Sequence, residues 1–137
     1  MALIAVDTNI VVRLFTQDDE QQYAKSLKLF QEQDIFIPDT VILETEWVLR
    51  FAYDFKPDEV CKAFRNLMGL PNVQVTNGSL MAQVLQWHEN GLDFADALHL
   101  AQSQSCSAIY TFDAQFASRA RGLTTCEVKQ PQKSARQ

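Results

Sequence analysis

The chain has 137 residues, 47% of them hydrophobic and 21% charged, which suits one globular domain with a sizeable core and leaves little room for a second. Its apolar runs fall far short of the roughly 20 residues a membrane helix needs, and "MALIAVDTN" meets an acid with no basic stretch before it, unlike a signal peptide. A net charge of −5 argues, taken alone, against a nucleic-acid partner, because such binders usually carry a basic face. Cys61, Cys106 and Cys126 form no CxxC pair, so reduced thiols, a cytoplasmic setting and no cysteine zinc site are expected.

"LIAVD" (3–7) is a short apolar run ending in an acid and predicts a buried parallel strand. Asp18 or Asp19 is placed to cap a helix through Gln33, with Ala24, Leu27 and Phe30 at helical spacing. "DIFIP" (34–38) reads as a second strand stopped by Pro38. Thr40 opens the helix "TVILETEWVLRFAYD", and Pro57 fits the first turn of "PDEVCKAFRNLMG", which Gly69 and Pro71 end. "NVQV" (72–75) alternates as a strand does, and Ser79–Asn90 is helical and closed by Gly91. A further helix spans 93–104, "AIYTF" (108–112) is an apolar strand, "AQFASRARG" is a helix ending at Gly122, and "TCEV" is a last strand. The polar tail "KQPQKSARQ" (129–137) has the composition of a disordered segment. Strands alternating with helices predict an α/β domain over 1–128, with a mostly parallel central sheet flanked by helices. The helix pair between the second and third strands is the least standard part, an arm or subdomain.

Acids stand at telling places in this order. Asp7 and Asp113 each follow an apolar strand, and in open α/β sheets ligands bind at the carboxyl ends of strands. A lone Asp there is also a common helix N-cap. Glu44 interrupts an expected apolar stripe of Val41, Val48, Phe51 and Phe55, with Thr45 and Glu46 better placed to face water; its stem also suits the edge of such a stripe. In "GLDFADALHLA" (91–101), Asp93 and Asp96 share a helix face amid Phe94, Ala97, Leu98, Leu100 and Ala101. Asp93 is a candidate N-cap, whereas Asp96 lies inside the helix, where Asp is a poor helix former, with no basic residue at i±4. Carboxylates gathered in a cleft raise one another's pKa, and a hard divalent cation, Mg²⁺ or Mn²⁺, removes that repulsion. Asp7, Glu44, Asp96 and Asp113 account for four of the five net negative charges. Arg13, Arg50, Arg65, Arg119 and Arg121 then remain to meet phosphates, and nucleic acid returns as a partner.

The blocks "VDTNIVVRL", "ETEWVL", "DFADALHLA" and "TFDAQF", in this order over residues 2 to about 128, resemble the PIN-domain ribonucleases, and most closely the VapC-type toxins of bacterial toxin–antitoxin systems. The resemblance implies a PIN-like, Rossmann-like fold in which the helix pair before Pro71 is a protruding arm. It implies an acidic metal site at Asp7, Glu44, Asp96 and Asp113, with Asp93 as a less constant extra acid. Thr111 in "TFD" and Asn9 in "DTN" are the supporting residues it indicates. The implied activity is Mg²⁺-dependent hydrolysis of RNA, leaving a 5′-phosphate and a 3′-hydroxyl. A small antitoxin laid in an apolar groove, for which Phe30, Trp47, Phe51, Phe55 and Phe64 are candidates, and a homodimer complete the family picture. His99 is a candidate support for Asp96 or a satisfied core or surface residue, and His88 is structural or exposed. A receiver-like phosphoacceptor would need a functional lysine after a late strand, and none precedes Lys129. A PIN-like module that binds RNA or protein without cutting, and an RNA-processing nuclease that is not a toxin, remain as alternatives.

Overall fold

Ile35 has no exposed surface, and the first sheet is built around it. The computed structural model describes residues 2–134, and the chain divides into two compact units, Met1–Ser79 and Leu80–Gln137. In the first, β1 (Leu3–Ala5), β2 (Asp34–Phe36) and β3 (Val73–Gln74) form a parallel sheet in the order β1-β2-β3. Ile4 lies opposite Ile35, and Ile35 opposite Val73. Helices α1 (Thr8–Thr16) and α2 (Glu20–Glu32) join β1 to β2, and α3 (Asp39–Tyr53) and α4 (Pro57–Met68) join β2 to β3. The second unit takes up all but the first two residues of α5 (Gly78–Glu89), then α6 (Phe94–Gln102), β4 (Ala108–Tyr110), α7 (Ala114–Arg119) and β5 (Glu127–Lys129). There β4 and β5 pair in parallel, Ile109 against Val128. The fold is α/β with parallel strands flanked by helices, its ladders falling into a three-stranded and a two-stranded sheet. Among the described residues no helix is long and apolar enough to cross a membrane.

Helix boundaries follow local chemistry. Asp19 caps α2 by accepting from the Gln22 amide at 3.0 Å. Pro57 opens α4 at a position where its missing N–H costs nothing. α4 buries Val60, Cys61, Phe64 and Leu67 along one stripe, and Phe64 meets Phe15 of α1 edge-on at 5.7 Å. A fully buried phenylalanine contributes about 1.5–3 kcal/mol, so this contact anchors the second helix of the pair to α1. Asn72 reaches back from the start of β3 and donates to the carbonyls of Phe30 and Gln33, both at 2.7 Å.

Three expectations need correction. β1 is not a buried strand, and β4, though apolar in sequence, is open at its end as well: Leu3 is 48% and Tyr110 63% exposed. β1 is an edge of its sheet, whereas central β2 takes the buried place. The inward face of α3 is Val41, Ile42, Thr45, Glu46 and Leu49, so Thr45 and Glu46 are buried while Glu44 and Phe51 are exposed. Glu46 tolerates this because Arg50 grips it with two bonds, of 2.8 and 3.2 Å, which supplies the pairing a buried charge requires. The last strand starts two residues later than "TCEV", because Cys126 is buried ahead of it and Lys129 still pairs. Gln130–Ser134 then carry no helix or strand, and 135–137 of the expected tail lie outside the described residues.

Asp18 pins α1 to α3 in the first unit. It accepts from Arg13 at 2.9 Å, from Thr16 at 2.9 Å and from the Tyr53 hydroxyl at 2.7 Å. The bonds from Tyr53 and Thr16, followed by the charge of Arg13, hold its carboxyl below the usual range. A depressed carboxyl adds stability that is present above its unfolded pKa and lost as pH falls through the folded value. Asp18→Asn should therefore melt below the wild type at neutral pH, with the gap closing on acidification. Thermal melts across a pH series check this; a gap that does not change with pH would mean that charge pairing is not what was lost.

Candidate active site

Asp96 is half-buried on α6, one turn inside a helix whose Phe94, Ala97, Leu98, Leu100 and Ala101 are all buried. That apolar anchorage fixes where its carboxylate stands. The chain enters α6 through Gly91, whose φ of +110° suits only glycine, and then Asp93, the N-cap, which accepts from the Asp96 amide at 3.2 Å. Asp113 caps α7, accepting from the Gln115 and Phe116 amides at 2.9 and 3.2 Å. Thr111 supports it by accepting from the Asp113 amide at 3.0 Å.

Asp93, Asp96 and Asp113 together line a cleft of about 360 Å³, with Gln115 and Arg119 on its wall. Arg119 donates to the Gly91 carbonyl at 3.0 Å. Burial raises the pKa of Asp96, the charges of Asp93 and Asp113 raise it further, and exposed His99 lowers it. Burial is the leading cause, and the two neighbouring carboxylates add to it.

In the first unit Asp7 is an exposed N-cap of α1, accepting from the Thr8 amide at 2.7 Å. Thr8 also donates its hydroxyl to Glu44. One residue thus ties Asp7 at the end of a strand to Glu44 on α3, a link the pattern "DTN" contains but that composition alone does not flag. Asn9 lies apart from these bonds, lining a groove with Arg13, Gln22 and Lys25. The structure therefore groups Asp7 with Glu44, and Asp93 with Asp96 and Asp113. Among the described residues, no three His, Cys, Asp or Glu side chains are arranged to hold a metal ion. The donors themselves are all hard oxygens, and the raised pKa of Asp96 is a repulsion that a divalent cation would relieve, so the residues fit Mg²⁺ or Mn²⁺ by chemistry.

The structure engages several of the arginines expected for phosphate elsewhere. Arg13 pairs with Asp18, Arg50 with Glu46, and Arg119 with Gly91. Arg119, one of the arginines expected to meet phosphates, does line the cleft, whereas Gln115 was not anticipated there; its spacing from Asp113 along one helix was the available signal. His88 is structural: its Nδ1 lies 2.8 Å from the Leu92 carbonyl, and its ring packs edge-on against Phe94 at 5.3 Å. Of the candidate groove aromatics, Phe30 and Phe64 are core, while Trp47 and Phe51 are exposed.

A family model described as the PIN domain matches residues 4–122. The chain belongs to the PIN-domain family. Among solved structures, the Mycobacterium tuberculosis VapC20 toxin, described as cleaving the sarcin–ricin loop, is similar at 19% identity with a TM-score of 0.42, over 85% of this chain and 94% of that one. No curated protein matches. In this PIN chain the acids of "DTN", "ETEW", "DFAD" and "TFD" stand within the matched span.

Substitutions separate the two jobs these acids do. Asp113→Ala removes an N-cap and should cost about 0.5–2 kcal/mol, whereas Asp113→Asn keeps the cap and should cost far less. Asp96→Asn removes a penalised charge and should leave metal-free stability unchanged or raised. A raised carboxyl is penalised as pH rises through its folded pKa, so any gain should be present at neutral pH and vanish on acidification. Denaturant melts in EDTA at low ionic strength measure both effects, and a destabilised Asp96→Asn protein would contradict the clustered-charge reading.

Proposed function

We propose that this PIN-domain chain is a metal-dependent endoribonuclease, and that it is the toxin of a VapC-type toxin–antitoxin pair. The observation that carries the nuclease reading is Asp96, partly withdrawn from water between Asp93 and Asp113, in a chain matched by the PIN-domain model. The proposed set is Asp7, Glu44, Asp96 and Asp113, with Asp93 as an additional acid and Thr111 and Asn9 in support. These oxygens would hold Mg²⁺ or Mn²⁺. Such an ion, when bound, supplies Lewis acidity at the phosphate and a more acidic water.

The chain's own part is orientation and charge. Thr8 holds Glu44, Thr111 fixes the backbone of Asp113, and the rigid start of α6 fixes Asp96. Hydrolysis adds water across the phosphodiester, breaks the bond to the 3′-oxygen and leaves a 5′-phosphate and a 3′-hydroxyl. No side chain needs to accept the proton permanently.

The toxin reading rests on the order of the four sequence blocks. It brings a small antitoxin, for which the exposed pair Trp47 and Phe51, 5.0 Å apart, offers apolar surface. It also brings a homodimer and a cytoplasmic location. Purified protein should cut RNA with Mg²⁺ or Mn²⁺, stop in EDTA, and slow by at least about a hundredfold as Asp7→Asn or Asp96→Asn. Cleavage that persists in EDTA or in both variants would overturn the nuclease reading. Expression alone should arrest bacterial growth and co-expression of the adjacent small protein should restore it; harmless expression in the native host would favour a processing nuclease.

A further inference from the structure

We propose that the end of β4 and the side of α7 turned away from the acidic cleft form a track for single-stranded RNA, with Tyr110 and Phe112 as base-stacking platforms and Arg121 and Lys129 as phosphate contacts. The proposal rests on the nuclease reading and assigns residues outside the acidic cleft to holding the strand. Gln115, Phe116 and Arg119 of α7 line the acidic cleft. Ala117, Ser118 and Arg121 line instead a cavity of about 700 Å³, with Tyr110, Lys129 and the segment 130–132 among its other walls. One short helix therefore separates a negatively charged cleft from a cationic one, and the segment 110–113 borders both.

Two rings are exposed along that segment, Tyr110 by 63% and Phe112 by 86%. They are two residues apart, about 6.6 Å of extended chain. Phe112 stands next to Asp113, so a base stacked on it would place its phosphate close to the acids. Every base has a flat π-face, and unpaired bases stack on exposed aromatics with little regard to sequence. Paired bases offer no such face. The cavity supplies what the backbone needs: the Arg121 guanidinium, which makes no ion pair among the described residues, the Ser118 hydroxyl and the Lys129 ammonium. Lys129 pairs with Glu127 at 3.5 Å, both side chains about half exposed or more, and surface pairs of this kind are weak and exchangeable. Two cations beside two rings favour a polyanion with flat bases over an apolar protein surface.

The test is fluorescence anisotropy of a short labelled oligouridylate with the full chain in EDTA, so that binding is read without cutting. Tyr110→Ala and Phe112→Ala should each weaken binding by about five- to a hundredfold, the range of one lost stack. Phe112→Tyr, which keeps a ring, should bind like the wild type. Arg121→Gln should weaken binding and lower the salt slope by about one. Duplex RNA should compete poorly. If Mg²⁺-dependent cleavage fails while the ring variants lose oligouridylate affinity, the nuclease reading falls and the track stands. If cleavage holds but those variants bind as tightly as the wild type, the track is wrong. Unchanged affinity with an altered sedimentation coefficient would likewise overturn it and assign the rings to a protein interface.

Discussion

A carboxylate partly withdrawn from water beside two others is costly, and the cleft of the second unit is organised around that cost. Asp96 cannot retreat, because α6 is held by five buried apolar residues on its other faces. It cannot pair with a lysine or arginine along its own helix, since none lies within a turn. What remains is protonation, which burial and the charges of Asp93 and Asp113 already favour, or a cation. A fold that maintains such an arrangement gives up stability in the metal-free state in exchange for a site where charge can be gathered at a phosphate.

The other acids are placed by a different rule. Asp7, Asp93 and Asp113 are all N-caps, so each has a structural reason to sit where a helix begins. Two of them follow strands, because an α/β chain must turn from strand to helix at the sheet's carboxyl edge. A capping bond uses one or two lone pairs of a carboxylate and leaves the rest available, so one residue can end a turn and also present charge to a ligand. Structure and function therefore do not compete at these positions. They do compete at Asp96, the acid of the cleft with no capping role.

Much of this was legible in the sequence, for identifiable reasons. Strand–helix alternation, Pro57 at the first turn of α4, the cap at Asp19 and the buried face of α6 are local signals, and the structure reproduces them within a residue or two. The face of α3 was not legible. Its aromatics suggested a stripe through Phe51, but Trp47 and Phe51 are exposed while Thr45 and Glu46 are buried. A buried glutamate is tolerable only because Arg50 lies four residues on and stacks over Phe51 at 4.5 Å. Reading that requires knowing which side of α3 faces inward. The arginines misled for a similar reason: a count of cations does not reveal that Arg13 is committed to Asp18 and Arg50 to Glu46. The pairing of Asp93 with Asp96 was accessible, since helix spacing is local, whereas Asp113 joins them only in the fold. The link from Thr8 to Glu44 joins residues 36 positions apart and appears only in the fold.

The central claim is that these carboxylates answer to a divalent cation, and linkage makes it directly measurable. A ligand that binds only the folded state stabilises it by RT ln(1 + [L]/Kd), about 2.7 kcal/mol at a hundred times Kd. Thermal unfolding of the wild type and of Asp96→Asn across a Mg²⁺ titration, at constant ionic strength, is the decisive measurement. The wild type should rise steadily with Mg²⁺, and Asp96→Asn should rise much less. Equal shifts in the two proteins, or no shift in the wild type, would contradict the account.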